Sequence, residues 1–195
     1  MMVVEESGMR ATIIEKAKSL FIEHGYLGLS MREIAEKVGV SKPALYYHFK
    51  DKEELFYAVL SSGLEEIGRM IHSINNQPVS SFKKISLFME YVLTQPTEQR
   101  AFIRLGTQEI TQLSPSSRQL FAESYRQQFT ERLRAMIQTG IENGEFREMD
   151  TDIATWGLLG LLYPYLYPNH FGLYSLSAEK IELIISMYMK GIQKS

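Results

Sequence analysis

The feature that most constrains this chain is the spacing of its apolar residues, which repeat with the period of an α-helix along almost its whole length. Between residues 116 and 142 an apolar residue recurs every four positions, at Phe121, Tyr125, Phe129, Leu133, Ile137 and Ile141. Side chains four apart lie on one face of a helix, whereas a half-buried strand would alternate with period two. No stretch shows sustained alternation of that kind. The spacing therefore predicts an all-α fold.

Glycine, proline and polar clusters divide the periodic segments into about nine helices. The first is expected at about 9–24, because Gly25 ends its apolar stripe, and a long fourth helix is expected from about 52 to 73. Two short helices lie between them. The remaining helices are expected at about 80–95, 98–112, 116–142, 151–167 and 177–193.

The composition is that of an ordinary globular protein, and it bears on which compartment and which kinds of site to expect. The chain has no cysteine, 45% hydrophobic and 23% charged residues, and a net charge of −2. Disulfides and thiolate metal sites are therefore excluded. The start of the sequence is acidic where a signal peptide is basic, and the longest apolar run, Trp156 to Tyr167, is too short to span a bilayer. We expect a cytoplasmic protein with no membrane partner.

Residues 30–52 have the capping and turn residues of two short helices joined tightly. Ser30 and Glu33 are spaced as a capping box, and Ser41 is placed to cap the next helix, with Pro43 in its first turn. Gly39 lies in the turn between them, where left-handed backbone angles are commonly required. A small core would form from apolar residues of both helices: Ile34, Ala35, Val38, Val40, Leu45 and Phe49. This arrangement is the framework of a helix-turn-helix.

The outward face of the third helix carries side chains suited to DNA. With Leu45 and Phe49 turned inward, the opposite face presents Lys42, Pro43, Ala44, Tyr46, Tyr47 and His48. Such a helix fits the major groove, and Lys52 at the start of the next helix suits a phosphate oxygen. Residues 30–52 have a net charge of only +2. A packed helical corner with solvated charges therefore remains the alternative at this point.

The residue detail of this segment resembles the DNA-binding domain of the tetracycline-repressor (TetR) family. The resemblance covers about residues 10–57 and is densest over Gly25-Tyr26, Ser30 to Ala35 and Val38 to Leu55, including the block Leu45-Tyr46-Tyr47-His48-Phe49-Lys50. It implies that the following residues face DNA: Ser30, Arg32, Ser41, Lys42, Ala44, Tyr46, Tyr47, His48 and Lys52.

The same resemblance implies a domain organisation and a mode of action. Residues 1–57 would form a three-helix DNA-binding domain, and residues 58–195 a helical bundle for ligand binding and dimerisation. A two-fold dimer would bind a palindromic operator in double-stranded DNA. A small-molecule effector would release it, with repression as the commoner mode in the family.

The last two predicted helices have features of a dimer interface. The final helix carries an apolar stripe formed by Ile181, Ile184, Ile185, Tyr188 and Ile192. The helix before it carries small residues at three-residue spacing, Ala154, Gly157 and Gly160, with Leu161 beside them. A flat face of this kind lets another helix approach closely. The alternative is that both stripes belong to the core of a single chain.

Bulky side chains in the middle of the chain are candidates for the lining of a pocket for a largely apolar effector. These candidates are Phe88, Tyr91, Phe102, Tyr125, Trp156 and Tyr163. Aromatic stripes at helical spacing more often form core, so packing is the alternative for each of them.

Catalysis and cofactor binding find no support in the sequence. The chain lacks a phosphate-binding glycine loop, a metal-binding HExxH and a nucleophile elbow. Ser80 to Lys83 matches SxxK without a companion motif, and the four histidines are dispersed. We therefore expect no enzyme, metal or cofactor. A helical ligand-binding or interaction protein that has lost DNA binding is the second alternative.

Overall fold

A computed structural model describes residues 2–166 and 176–194, and over these residues the secondary structure is helical. The only β-type contact in the described part is an isolated antiparallel bridge between Phe146 and Gln193. The helices are α1 (Met2–His24), α2 (Met31–Val38), α3 (Lys42–His48), α4 (Lys52–Asn75), α5 (Ser81–Thr94), α6 (Thr97–Gln108), α7 (Pro115–Tyr125), α8 (Glu131–Glu142), α9 (Thr151–Leu162) and α10 (Ala178–Ile192). The predicted all-α fold class is confirmed.

The helix predicted at 116–142 is one continuous helical segment with an irregular centre. Helices α7 and α8 are joined by a π-helical turn, Arg126–Thr130, without a break. Taken as one, they leave nine helices in the described ranges, which agrees with the number expected. Helix α9 ends at Leu162, before the predicted position 167, and a 3₁₀ turn over Tyr163–Leu166 follows. Pro164 explains this end, because it has no N–H to donate within the helix. The predicted break from Pro168 to Ser177 lies largely outside the described residues.

The chain divides into two compact units, each with its own core. The first comprises Met1–Leu64 and Phe102–Ala122, and the second Glu65–Ala101 and Glu123–Ser195. The core of the first unit is built on fully buried side chains from its first four helices and from the connection between α3 and α4: Ile13, Phe21, Ile34, Leu45, Phe49, Leu55 and Phe56. The Phe21 and Phe56 rings meet edge to face with centroids 4.9 Å apart. A separate boundary between functional domains after residue 57 stays a prediction.

The second unit is a helical bundle in which α5, α8, α9 and α10 contact one another. Its core contains buried side chains from each of these helices: Ile85, Phe88, Met89, Leu133, Ile137, Leu158 and Met189. The turn after α8 contacts the start of α5. There the Glu145 carboxylate accepts hydrogen bonds from the Ser81 and Phe82 backbone N–H groups at 3.0 Å each. Among the described residues, no helix is long and apolar enough to cross a membrane.

Candidate nucleic-acid interface

Helix α2 begins and ends as its sequence predicts. The Ser30 and Glu33 side chains form a complete capping box, in which the Ser30 N–H donates to the Glu33 carboxylate at 2.8 Å. Hydrogen bonds from Ser30 hold the pKa of Glu33 below its ordinary value. Gly39 ends the helix with φ = 84°, in the left-handed region that other residues rarely adopt. The turn into α3 is therefore determined by local residues.

Helix α3 is oriented by two buried side chains. Ser41 caps its start, because its hydroxyl oxygen accepts from the Ala44 N–H at 3.2 Å. The Leu45 and Phe49 side chains are completely buried. Tyr46 and Tyr47 project from the opposite side, with 43% and 73% of their surface exposed. The helix thus turns its polar face outward, as the sequence indicates.

The residues expected to contact DNA separate into an exposed group and a half-buried group. Those exposed are Ser30, Arg32, Ser41, Lys42, Pro43, Tyr46 and Tyr47, while Ala44, His48 and Lys52 are half-buried. The Ser30 hydroxyl donates to Glu33 at 2.6 Å, so its proton is already engaged. Ser41 only accepts in its cap, so its proton is available to a phosphate oxygen.

One ammonium and three aromatic rings lie close together on this face. The Lys42 ammonium lies 5.8 Å from the centre of the Tyr46 ring, and the Tyr47 and His48 rings meet edge to face at 5.2 Å. The lysine ammonium and the tyrosine hydroxyl can each donate to phosphate oxygens and to base edges. The face therefore offers several independent donors to a DNA duplex.

Lys52 has a second set of partners that the sequence did not reveal. Its ammonium donates to the Tyr26 carbonyl at 2.9 Å and to the Leu29 carbonyl at 2.7 Å, and it lies 4.2 Å from the centre of the Tyr26 ring. An ammonium has three N–H donors, so one remains for a phosphate. These contacts tie the start of α4 to the turn that leads into α2.

Glu53, the next residue, was also missed by the sequence reasoning. Its carboxylate accepts from the Ser114 N–H at 3.1 Å and from the Ser117 hydroxyl at 2.6 Å. Hydrogen bonds from Ser114 and Ser117 hold the pKa of Glu53 below its ordinary value. The partners lie 61 and 64 residues away in sequence, and no local sequence pattern predicts a hydrogen bond between residues so far apart.

The candidate effector-binding residues are not gathered at one place. Within the second unit, Phe88 and Tyr125 both contact the Phe129 ring, at centroid distances of 6.1 and 5.0 Å. Burial raises the pKa of Tyr125 to about 12. By contrast, Trp156 is 60% exposed. Tyr91 and Tyr163 are also exposed.

Phe102 lies in the first unit and has a packing environment of its own. A Cβ added at Gly63 would lie 1.8 Å from the Phe102 ring, so the glycine is needed for this close approach. The Lys18 ammonium lies 4.6 Å from the centre of the same ring. Phe102 thus fills the space between α1 and α4, and an effector contact from it stays a prediction.

Most of the residues expected at the dimer interface pack inside the protomer. Ala154, Ile181, Ile184, Tyr188 and Ile192 are at least nine-tenths buried within the chain itself. The Tyr188 hydroxyl donates to the Ala154 carbonyl at 2.9 Å, which joins α10 to α9. Burial raises the pKa of Tyr188. Ile185 and Leu161 are half-buried. The regular stripe of α10 is thus used for the core of one chain.

A different apolar face of the same two helices is exposed. On α9 it consists of Ile153, Trp156, Gly157 and Gly160, and on α10 of Leu183 and Met187. The four large side chains are 60–73% exposed. A Cβ added at either glycine would meet no atom within 4 Å. We call this set the outer face of α9 and α10.

Comparison with known proteins matches both parts of the chain to one family. Residues 13–59 match the model of bacterial regulatory proteins of the tetR family, and residues 79–164 match a tetracyclin repressor-like C-terminal domain. The HTH-type transcriptional repressor KstR2 of Rhodococcus jostii is 22% identical over 150 residues, which are 76% of this chain and 74% of the relative.

Solved structures support the same assignment. The TetR-family regulator PfmR of Thermus thermophilus is 29% identical with a TM-score of 0.73, covering 91% of this chain and 94% of its own. AibR, solved in complex with isovaleryl coenzyme A and operator DNA, shares the fold with a TM-score of 0.76 at 22% identity, over 91% of this chain and 96% of its own. The chain belongs to the tetracycline-repressor family of transcriptional regulators.

Proposed function

We propose that this regulator binds a palindromic operator as a two-fold dimer, represses transcription there, and is released by a small-molecule effector. The observation that carries the proposal is the outward face of α3, where Lys42, Tyr46 and Tyr47 are exposed on a helix whose other side is locked into the core. A recognition helix needs both properties, because it must reach base edges while its own position stays fixed.

The proposed DNA-binding set combines the outward face of α3 and the adjoining Lys52 with the residues that the family resemblance implies: Ser30, Arg32, Ser41, Lys42, Pro43, Ala44, Tyr46, Tyr47, His48 and Lys52. Side chains with free donors, such as Ser41 and Lys42, would bind phosphates or base edges. Ser30 would act chiefly by capping α2, because its hydroxyl donates to Glu33. The domain division follows this assignment, with residues 1–57 for DNA and 58–195 for effector binding and dimerisation.

Dimerisation is proposed through the outer face of α9 and α10. Dimers are typical of the family, and a palindromic site requires two recognition helices related by a two-fold axis. Large apolar side chains with more than half their surface exposed, beside glycines with open space above them, suit close helix packing against a second copy. Of the residues first expected there, Gly157 and Gly160 lie on this face.

The effector is proposed to bind in the second unit, near Phe88 and Tyr125. AibR was solved with isovaleryl coenzyme A, and a ligand with an apolar acyl part would suit the aromatic cluster around Phe129. Helices α4, α6 and α7 each run from one unit into the other, so they provide covalent routes for a conformational shift. An effector that favours one of two spacings of the recognition helices would change operator affinity about 5–150-fold.

Selection of duplexes from a random pool tests the proposal. We expect enrichment of an inverted repeat, with half-sites about one helical turn or a multiple apart. Lys42→Ala and Tyr47→Ala should each weaken binding to the selected duplex without loss of helicity or dimerisation. Lys180→Ala, at an exposed position of α10, is the matched control. Failure to enrich any sequence, or unchanged affinity in both α3 variants, would contradict the proposal.

A further inference from the structure

The recognition helix and the first turn of α4 are joined by a short connection that is held by hydrogen bonds. Helix α3 ends at His48 and α4 begins at Lys52, so three residues connect them. The Lys50 N–H donates to the Glu54 carboxylate at 3.0 Å, and the Glu54 N–H donates to Asp51 at 2.8 Å. With Phe49 fully buried, this connection has little freedom to bend. A force on the first turn of α4 therefore acts directly on α3.

Glu53 projects from this turn onto the start of α7. One carboxylate oxygen accepts from both the Ser114 N–H and the Ser117 hydroxyl, and the Ser114 hydroxyl donates to Ser117 Oγ at 3.1 Å. A carboxylate beside the first turn of a helix also interacts favourably with the helix dipole. The lowered pKa of Glu53 means that the group is ionised at neutral pH. Its contact with α7 is thus a charged one.

Helix α7 then passes out of the first unit. Its residues up to Ala122 belong to the first unit, and from Glu123 onward the same helical segment belongs to the second. A displacement along α7 would consequently pull on Glu53, and through it on the recognition helix.

We propose that Glu53 is a positioning residue for operator binding, whose carboxylate holds the start of α7 and thereby sets the orientation of α3. The proposal rests on the proposed operator-binding function and adds to it a residue that contacts no DNA. Removal of the Glu53 side chain would release α3 from α7 while leaving every outward side chain of α3 in place.

The sign of the effect separates this role from a simple charge effect. A carboxylate close to the DNA-binding helix repels the phosphate backbone, so losing its charge alone would strengthen binding. Loss of the link to α7 would weaken it. Glu53→Gln removes the charge but keeps an oxygen that accepts from Ser114 and Ser117, whereas Glu53→Ala removes both. The proposal therefore predicts that Glu53→Ala lowers operator affinity and that Glu53→Gln does not.

The experiment compares four variants on the duplex selected by the wild-type protein, by fluorescence anisotropy at a temperature well below each melting midpoint. We expect Glu53→Ala to weaken binding about 5–10-fold, at the lower end of usual coupling between sites. Glu53→Gln should bind as well as wild type or slightly better. Ser117→Ala should weaken binding less than Glu53→Ala. The double variant with Ser117→Ala should be no weaker than Glu53→Ala alone, because both changes break one contact.

Several results would overturn the proposal. If both Glu53 variants bind more tightly, the carboxylate acts through charge alone; if both match wild type while their melting temperatures fall, it serves stability alone. If both Glu53 variants weaken binding equally, the double variant is compared with Glu53→Ala and Ser117→Ala alone. Losses of affinity that add in the double variant would refute the contact between Glu53 and Ser117 as the cause. Failure to select any duplex would instead contradict the proposed function and leave no operator to test.

Discussion

Lys42 and Lys52 are both expected to contact DNA, and the structure gives them different surroundings. Lys42 is exposed, and its ammonium lies 5.8 Å from the centre of the Tyr46 ring. Lys52 is half-buried, with two carbonyl acceptors and the Tyr26 ring close to its ammonium. Replacing each by methionine keeps most of the side-chain stem and removes only the charge and its donors. The pair therefore separates a lysine expected to contact DNA alone from one that also has contacts within the fold.

The expected stability loss for Lys52→Met follows from its three contacts. A hydrogen bond from a charged donor contributes about 1.5–3 kcal/mol when buried, and we take about 1 kcal/mol for each of the two because the side chain is half-buried. The cation–π contact adds about 0.5–1 kcal/mol. The sum is about 2–3 kcal/mol, which corresponds to a drop in Tm of roughly 5–10 °C for a chain of this size. Lys42→Met, which loses only the longer cation–π contact to Tyr46 at an exposed site, should lower Tm by no more than about 2 °C.

The salt dependence of operator binding supplies the second measurement. Each phosphate contact contributes about 0.9 to the slope of log K against log salt concentration. We expect both Lys42→Met and Lys52→Met to reduce the slope by about that amount, because each lysine has a donor for a phosphate, whereas only Lys52→Met should also lower Tm by several degrees. Thermal melting and anisotropy titrations at several salt concentrations provide both quantities. A Lys52→Met protein with an unaltered Tm would refute the structural role of Lys52, and an unaltered slope would refute its phosphate contact.

Two further predictions concern the second unit. Leu183→Glu should convert the dimer to a folded monomer in light scattering, because it places a charge on the exposed apolar face of α10, whereas Lys180→Glu on the same helix should leave the dimer intact. A dimer that survives Leu183→Glu would exclude this face. Gly140→Ala should lower the free energy of unfolding by about 1–3 kcal/mol in urea titrations, because the added Cβ would lie 2.2 Å from the buried Phe146 ring. Unchanged stability there would mean that the ring moves aside freely.

The helix-turn-helix could be predicted in detail because its determinants are local. The Ser30–Glu33 box, the left-handed Gly39 and the Ser41 cap each act within three residues, and all three are present. The start of α4 is capped less regularly. Asp51 accepts from the Glu54 N–H, but the Glu54 carboxylate accepts from the Lys50 N–H rather than from that of Asp51.

Contacts between distant segments could not be predicted from the sequence. The hydrogen bonds from Ser114 to Glu53 and from Lys52 to Tyr26 join residues 61 and 26 positions apart. Helical spacing indicates which face of a helix is apolar or charged, but not which segment of the chain lies opposite. For the same reason the sequence did not show that the Phe102 ring packs against Gly63 in the first unit.

The last two helices are a further case in which helical spacing did not show what lies opposite an apolar face, and this one concerns the dimer. Helix α10 carries apolar residues on two faces, and its period alone favoured the more regular one, with Ile181, Ile184 and Tyr188. The structure uses that face for the core of the protomer, which leaves Leu183 and Met187 exposed. An apolar face that one chain has already buried cannot also bind a second chain. On α9 and α10 the outer face is therefore the apolar surface that stays exposed, and the proposed dimer would bring the α9 glycines, rather than the α10 isoleucines, to the contact.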